Sequence, residues 1–399
     1  RKDRPQMQIV NAKLITERGI KSGYVVVTRN DRIEAITDMY QIRDDDTVLD
    51  AKGAYLSPGF VDIHCHGGGG ADFMDGNVSA FETASKTHLK HGTTTIVPTS
   101  VASSVNDLKN FADSFRSAVL MKDMPGMPGV HLEGPFLAPE MAGAIDPLFL
   151  QLPSGESVEK ILKITDGILL RWTIAPELTG ACVLGSELAA NRIFPSIGHS
   201  NGYYEDAVLA VRHGFRTVTH IYSSMSTIRR ENGFRRSGIL EAALMMDELS
   251  AEVIADGRHL PPELLRLIHR IKGSDGIILV TDAMRAAGTD EYTSVLGSVK
   301  SGIEVIIEDG VAKLPDRSSF AGSIATSDQL VRTMHKDAGI ALSECVRMMT
   351  HNPAKAIGLD REIGSITPGY KADLLIFDED INISTIMMNG EIIYGDPSA

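Results

Sequence analysis

His64 and His66 are separated by one residue and follow a short apolar run. An extended backbone puts residues i and i+2 on one face about 7 Å apart, so both imidazoles can reach one metal ion. Cys65, between them, points the opposite way and reads as a wall residue. Further along, Glu133, His199, His220, the pair Asp256 and His259, and Asp282 each stand directly after another apolar, β-branched run. Nitrogen and carboxylate donors of this kind suit borderline divalent ions such as Zn²⁺ or Fe²⁺, in a site that keeps a coordination position for water. Two arrangements fit. Glu133 bridges one ion held by His64 and His66 and a second held by His199 and His220, or a single ion sits on Glu133, His199 and His220. Asp282, after Leu279-Val280-Thr281, is placed to accept a proton from water and return it to a leaving group, with a contact to the metal as a further option. Taken singly, each residue has an ordinary explanation as a helix cap, an ion-pair partner or a core imidazole. Their coincidence after six separate runs is what points to chemistry.

The runs themselves supply the frame. Short apolar stretches at 60–63, 94–98, 129–132, 169–174, 192–197, 217–219, 250–255 and 277–280 alternate with loops and helical patterns such as 203–213 and 261–271. Their number is that of a closed (β/α)8 TIM-like barrel, whose active sites gather at the C-terminal ends of the strands. A doubly wound sheet is less apt, since no G-x-G-x-x-G follows the first run. Alternating stretches at 8–10, 24–28 and 32–36, and again at 372–377, 383–388 and 391–394, predict a small β-sandwich domain built from both termini. The expected domains are therefore residues 1–59 and 356–399 for the two parts of the sandwich and 60–355 for the barrel.

With 43% apolar and 23% charged residues in 399, the chain has the composition of a globular protein. Its 39 Lys and Arg against 52 Asp and Glu give a net charge of −13, which repels a phosphate backbone and argues against a nucleic-acid partner. Three cysteines without a CxxC pair predict no disulfide, and residues 1–8 are charged and polar, with no apolar stretch of membrane-spanning length anywhere. A cytoplasmic protein without a membrane anchor is expected. His88, His91, His213, His269 and His335 fall on helical patterns and read as surface or capping residues, His351 as structural, Trp172 as core and Glu177 as support for the site. The run Gly67–Gly70 offers backbone that can approach a ligand closely.

The motifs, in order, are Pro58-Gly59-Phe60-Val61-Asp62-Ile63-His64-Cys65-His66-Gly67, His131-Leu132-Glu133-Gly134-Pro135-Phe136, Ala175-Pro176-Glu177, Gly198-His199-Ser200, Thr219-His220, Asp256-Gly257-Arg258-His259, Thr281-Asp282-Ala283, Ala321-Gly322-Ser323, Asn352-Pro353-Ala354 and Pro368-Gly369-Tyr370-Lys371-Ala372-Asp373. Over almost the whole chain this resembles the amidohydrolase superfamily and, within it, the N-acetylglucosamine-6-phosphate deacetylases. The resemblance implies that Glu133, His199 and His220 bind the catalytic ion, that His64 and His66 hold a second where both are present, and that Asp282 is the general acid and base. It implies hydrolysis of an acetamido group to acetate and an amino sugar phosphate, and a homodimer in which a neighbouring subunit helps to hold substrate. His259 would help to orient that substrate.

Departures from the family pattern bear on the substrate. Ser223-Ser224-Met225 stands where the family usually carries Asn-Ala-Met, and Gly143-Ala144-Ile145 where it carries a histidine after Gly-Ala. Arg230, in Arg230-Glu231-Asn232-Gly233, is the counterpart of a phosphate-binding arginine, beside Arg229, Arg235 and Arg236. Ala144, Ile145, Ser223, Ser224, Arg230 and His259 are thus the expected substrate contacts. Two other readings stay open: deacetylation of another N-acyl sugar or N-acylamino compound, and a non-catalytic paralogue used for binding or assembly.

Overall fold

The computed structural model describes residues 6–38 and 46–395. Eight strands form one parallel sheet: β1 (Phe60–Cys65), β2 (Thr93–Ser100), β3 (Val130–Glu133), β4 (Leu169–Ile174), β5 (Phe194–Ile197), β6 (Thr217–Val218), β7 (Ser250–Val253) and β8 (Ile277–Leu279). Spatial order follows chain order from β1 to β8. The two edges meet through a parallel bridge between Cys65 and Ala283 and a hydrogen bond from Asp282 N–H to the His64 carbonyl at 2.9 Å. The protein is a (β/α)8 TIM-like barrel.

Each strand is rich in β-branched or apolar residues and buried on both faces, as parallel strands covered by helices must be. The helices begin with local chemistry: Asn77 Oδ1 accepts from the Ala80 N–H at 2.9 Å and starts Val78–Lys90. Helices Tyr204–Arg212 and Pro262–Lys272 occupy the two stretches whose periodicity predicts them.

The terminal segments make the sandwich. One sheet orders Arg32–Thr37, Val25–Arg29, Met7–Val10 and Thr47–Asp50. The other orders Glu391–Tyr394, Ile383–Met388, Leu374–Phe377, Tyr55–Pro58, Lys13–Thr16 and Gly19–Lys21. Tyr55–Pro58 joins the two ends of the chain, pairing parallel with Lys13–Thr16 and antiparallel with Leu374–Phe377. Ile9, Leu14, Val26, Leu56, Leu374 and Met387 fill the space between the sheets. Residues 1–5, 39–45 and 396–399 of the expected terminal segments lie outside the described residues. The strands at Lys13–Thr16, Gly19–Lys21, Thr47–Asp50 and Tyr55–Pro58, and a three-stranded meander inserted after β8 (Thr293–Leu296, Ile303–Glu308, Val311–Lys313), are additions to the expected pattern.

Trp172 shows how the core positions the site. It is fully buried, stacks on Phe136 with ring centroids 5.2 Å apart, and donates from Nε1 to the Gly134 carbonyl at 2.8 Å, one residue from Glu133. Trp172→Ala is expected to cost about 3–5 kcal/mol, read from the denaturant midpoint, with loss of activity in the folded fraction because the Glu133 loop loses its tether.

Candidate active site

At the C-terminal ends of the strands, six side chains from β1, β3, β5, β6 and β8 converge. His199 Nε2 and His220 Nε2 are 3.1 Å apart and lie 3.1 and 3.0 Å from Glu133 Oε1. His64 Nε2 and His66 Nε2 are 3.3 Å apart, and His66 Nε2 is 3.1 Å from Glu133 Oε2. Asp282 Oδ1 lies 3.3 Å from His64 Nε2 and 3.2 Å from His66 Nε2. All six residues are buried.

Their backbone explains the convergence. His199, His220 and Asp282 have φ of 46°, 30° and 46°, a left-handed conformation that costs a residue with Cβ about 1–2 kcal/mol. Each follows the end of its strand, so the turn swings the side chain over the barrel mouth instead of along the strand direction. Strain of this kind persists where surrounding structure imposes it and is found at functional sites. Glu177 supports the segment after β5, accepting from Ser200 Oγ and Asn201 N–H, both at 2.6 Å.

The charges balance inside the cluster. Burial acts to raise the Glu133 carboxyl, but the charge of His64 and hydrogen bonds from His199 and His220 outweigh it and hold it well below the usual range. Burial likewise opposes ionisation of Asp282, and the positive charge of His64 with the hydrogen bond from His66 lowers it nonetheless. His66 is pushed up to about 9, against burial, by hydrogen bonds to Asp282 and Glu133. Acids and bases this tightly matched form a site that a divalent cation can enter by displacing protons.

Two donor sets satisfy the distance requirement for an ion, His64 with His66 and Glu133, and Glu133 with His199 and His220, the atoms of each lying within 4.8 Å of one another. The orientation of the rings fits as well. His199 donates from Nδ1 to the Met141 carbonyl at 2.7 Å and His64 from Nδ1 to Glu252 Oε2 at 3.1 Å, so both present Nε2 to the centre. A third set, Asp62, Cys65 and His88, is equally compact. Its atoms are already engaged: Asp62 accepts from Thr281 Oγ1 at 2.5 Å and His88 Nε2 donates to the Gly67 carbonyl at 2.8 Å.

A cavity of about 340 Å³ opens over the cluster. Ala144, Ile145, Ser223, Ser224 and His259 line it, together with Val101, Tyr222, Leu296, Ser319 and Phe320, which sequence reasoning missed. His259 is held by Asp256, whose Oδ2 accepts from its Nδ1 at 2.7 Å, and its ring meets that of Phe320 at 4.8 Å. Arg230 is not among the lining residues; it sits exposed on the hairpin Arg229–Glu231 and Phe234–Arg236. Two readings are corrected. His88 is fully buried against Gly67 and Cys65, not at the surface, because helix Val78–Lys90 packs its imidazole onto the glycine run. That run serves this packing: a Cβ at Gly68 would come within 2.9 Å of His88 Nε2.

Residues 55–393 match the model of the amidohydrolase family. An N-acetylglucosamine-6-phosphate deacetylase of Lysinibacillus sphaericus is 32% identical over 86% of this chain and 87% of its own, and one of Bacillus subtilis (strain 168) is 30% identical over 97% and 96%. Among solved structures, an N-acetylglucosamine-6-phosphate deacetylase from Pasteurella multocida superposes with a TM-score of 0.90 at 30% identity, covering 98% of this chain and 100% of that one. A mutant of the corresponding Mycobacterium smegmatis enzyme, in complex with N-acetyl-D-glucosamine-6-phosphate, does so with a TM-score of 0.88 at 29% identity and the same coverage.

Proposed function

The chain belongs to the amidohydrolase family, in its N-acetylglucosamine-6-phosphate deacetylase group, and from that premise we propose how its residues divide the reaction. It is a metal-dependent amide hydrolase that removes the acetyl group of N-acetylglucosamine 6-phosphate, leaving acetate and glucosamine 6-phosphate. The observation that carries the reading is the convergence of Glu133, His199, His220 and Asp282 at the floor of one cavity.

Glu133, His199 and His220 hold a divalent ion, and His64 and His66 complete a place for a second. Zinc or iron suits these donors. When bound, the ion acidifies a water and draws electron density from the acetamido carbonyl. Asp282 takes the proton of the attacking water on its carboxylate and delivers it to the departing nitrogen, which must leave as an amine. His259, locked by Asp256, orients the substrate from the cavity wall, and Ser223, Ser224, Ala144 and Ile145 shape the sugar's place. Arg230, exposed and outside its own subunit's cavity, would meet the phosphate from a neighbouring subunit in a homodimer. The protein works in the cytoplasm.

The decisive experiment is acetate release by metal-reconstituted protein offered N-acetylglucosamine 6-phosphate and unphosphorylated N-acetylglucosamine side by side. A strong preference for the phosphorylated sugar is expected. One observation favours a second substrate reading: among the described residues the cavity lining contains no Lys or Arg, and Val101, Ala144, Ile145, Leu296 and Phe320 make part of it apolar. Release from neither sugar, with hydrolysis of a less polar N-acyl compound, would establish that alternative.

A further inference from the structure

Inside the barrel, next to the ligand cluster, lies an ion pair that no step above uses. Arg171 of β4 and Glu252 of β7 are 1% and 0% exposed. The Arg171 guanidinium donates from Nη2 to Glu252 Oε1. The other carboxylate oxygen accepts from His64 Nδ1 at 3.1 Å, while Arg171 Nη1 donates to the Ile63 carbonyl, one residue before His64, at 2.9 Å. Burying two charges is costly, and a well-packed apolar pair would serve stability as well. This pair converges on one ring. A carboxylate that accepts at Nδ1 directs Nε2 into the cluster, and His64 Nε2 faces His66 Nε2 at 3.3 Å and Glu133 Oε1 at 3.6 Å. Of the other ligand imidazoles, His199 ties Nδ1 to a neutral carbonyl, and Nδ1 of His66 and of His220 has no hydrogen-bond partner among the described residues.

We propose that Glu252, anchored by Arg171, is a positioning residue for His64, and that it sets the affinity of the ion shared by His64, His66 and Glu133 while the ion on Glu133, His199 and His220 holds without it. The inference rests on the metal-centre reading above and divides that centre into two places of unequal dependence. A hydrogen-bonded carboxylate fixes the tautomer and direction of a ligating imidazole and raises its basicity, and loss of such a partner typically weakens metal binding about ten- to a hundredfold.

Equilibrium dialysis of the full chain against Co²⁺, followed by elemental analysis, tests it. Wild type is expected to bind two ions, and Glu252→Gln to keep one at wild-type affinity and to bind the other about ten- to a hundredfold more weakly. Glu252→Asp keeps the charge facing Arg171 but falls one carbon short of His64. It is expected to weaken the same ion with little change of melting temperature in chelator. A merely structural pair would lower that melting temperature and leave both dissociation constants unchanged. That result in both variants, or a wild-type chain that takes up a single ion, overturns the proposal. The proposed mechanism assigns hydrolysis to the ion on Glu133, His199 and His220, and acetate release is read separately from ion uptake, so failure here is distinct from failure of the deacetylase reading.

Discussion

Asp282→Asn is expected to lower kcat about a hundredfold or more and to leave the bound metal as in wild type, since general acid and base catalysis contributes roughly 10²–10⁴. The substitution keeps the volume and the polar contacts of the side chain, which lies 3.2 Å from His66 Nε2 and is buried at the cavity floor. What it removes is a group able to carry a proton from water to the leaving nitrogen. An amine expelled without a proton is a poor leaving group, so the loss falls on turnover: a hundredfold corresponds to about 2.7 kcal/mol of transition-state stabilisation. Steady-state kinetics together with metal analysis of the same sample checks the result. Near-normal turnover at full metal content removes the acid and base role. A fall in metal content in parallel with kcat makes Asp282 a ligand first.

Glu133→Gln is expected to do more. Glu133 reaches Nε2 of His199 and His220 with one carboxylate oxygen and Nε2 of His66 with the other, so it belongs to both donor sets. A neutral amide there weakens both places for an ion at once, and with them the acidification of water, which in related chemistry spans many powers of ten. Activity should drop about a thousandfold or more, beyond what Asp282→Asn removes. Stability gives an independent readout. A ligand present at a hundred times its dissociation constant stabilises the folded state by about 2.7 kcal/mol, so adding ion to chelator-treated wild type should raise the melting temperature. The Glu133→Gln protein should show no such rise. In the ion-free state it should also melt lower than wild type, because the carboxylate that offsets the buried imidazolium charge is gone, and removing one partner of a buried pair costs about 3–5 kcal/mol. An unchanged response to ion in calorimetry would take Glu133 out of the centre.

Much of this was readable as a pattern along the chain. β-branched runs buried on both faces announce parallel strands, and residues at or just past the end of each run must stand at the barrel mouth, which makes His64, His66, Glu133, His199, His220 and Asp282 candidates before any fold is seen. Their motifs also mark the family. The sandwich was only half legible: strands of three or four residues such as Gly19–Lys21 and Lys13–Thr16 carry too little alternation to stand out, and Lys13–Thr16 also pairs with Tyr55–Pro58, distant in sequence. The meander after β8 escaped as well, and with it Leu296 on the cavity wall.

The chain alone therefore determined which chemistry is carried and at which strand ends, because adjacency to a strand end is a local property. Tertiary structure decided everything that depends on what lies across the barrel. A buried strand position faces either the barrel interior or the helices, and both look apolar in sequence. Glu252 and Arg171 carried a signal in being charged residues within otherwise apolar strands, yet only the closed sheet shows that they meet each other and His64. His88 is polar on a helix and so reads as exposed, until packing against glycine makes burial possible. The place of Arg230, outside its own cavity on an exposed hairpin, depends on the path of a loop whose two short strands, Arg229–Glu231 and Phe234–Arg236, pair with each other. Local pattern fixes identity and side, while through-space pairing between elements distant in sequence fixes partners, and partners are what orient a metal ligand.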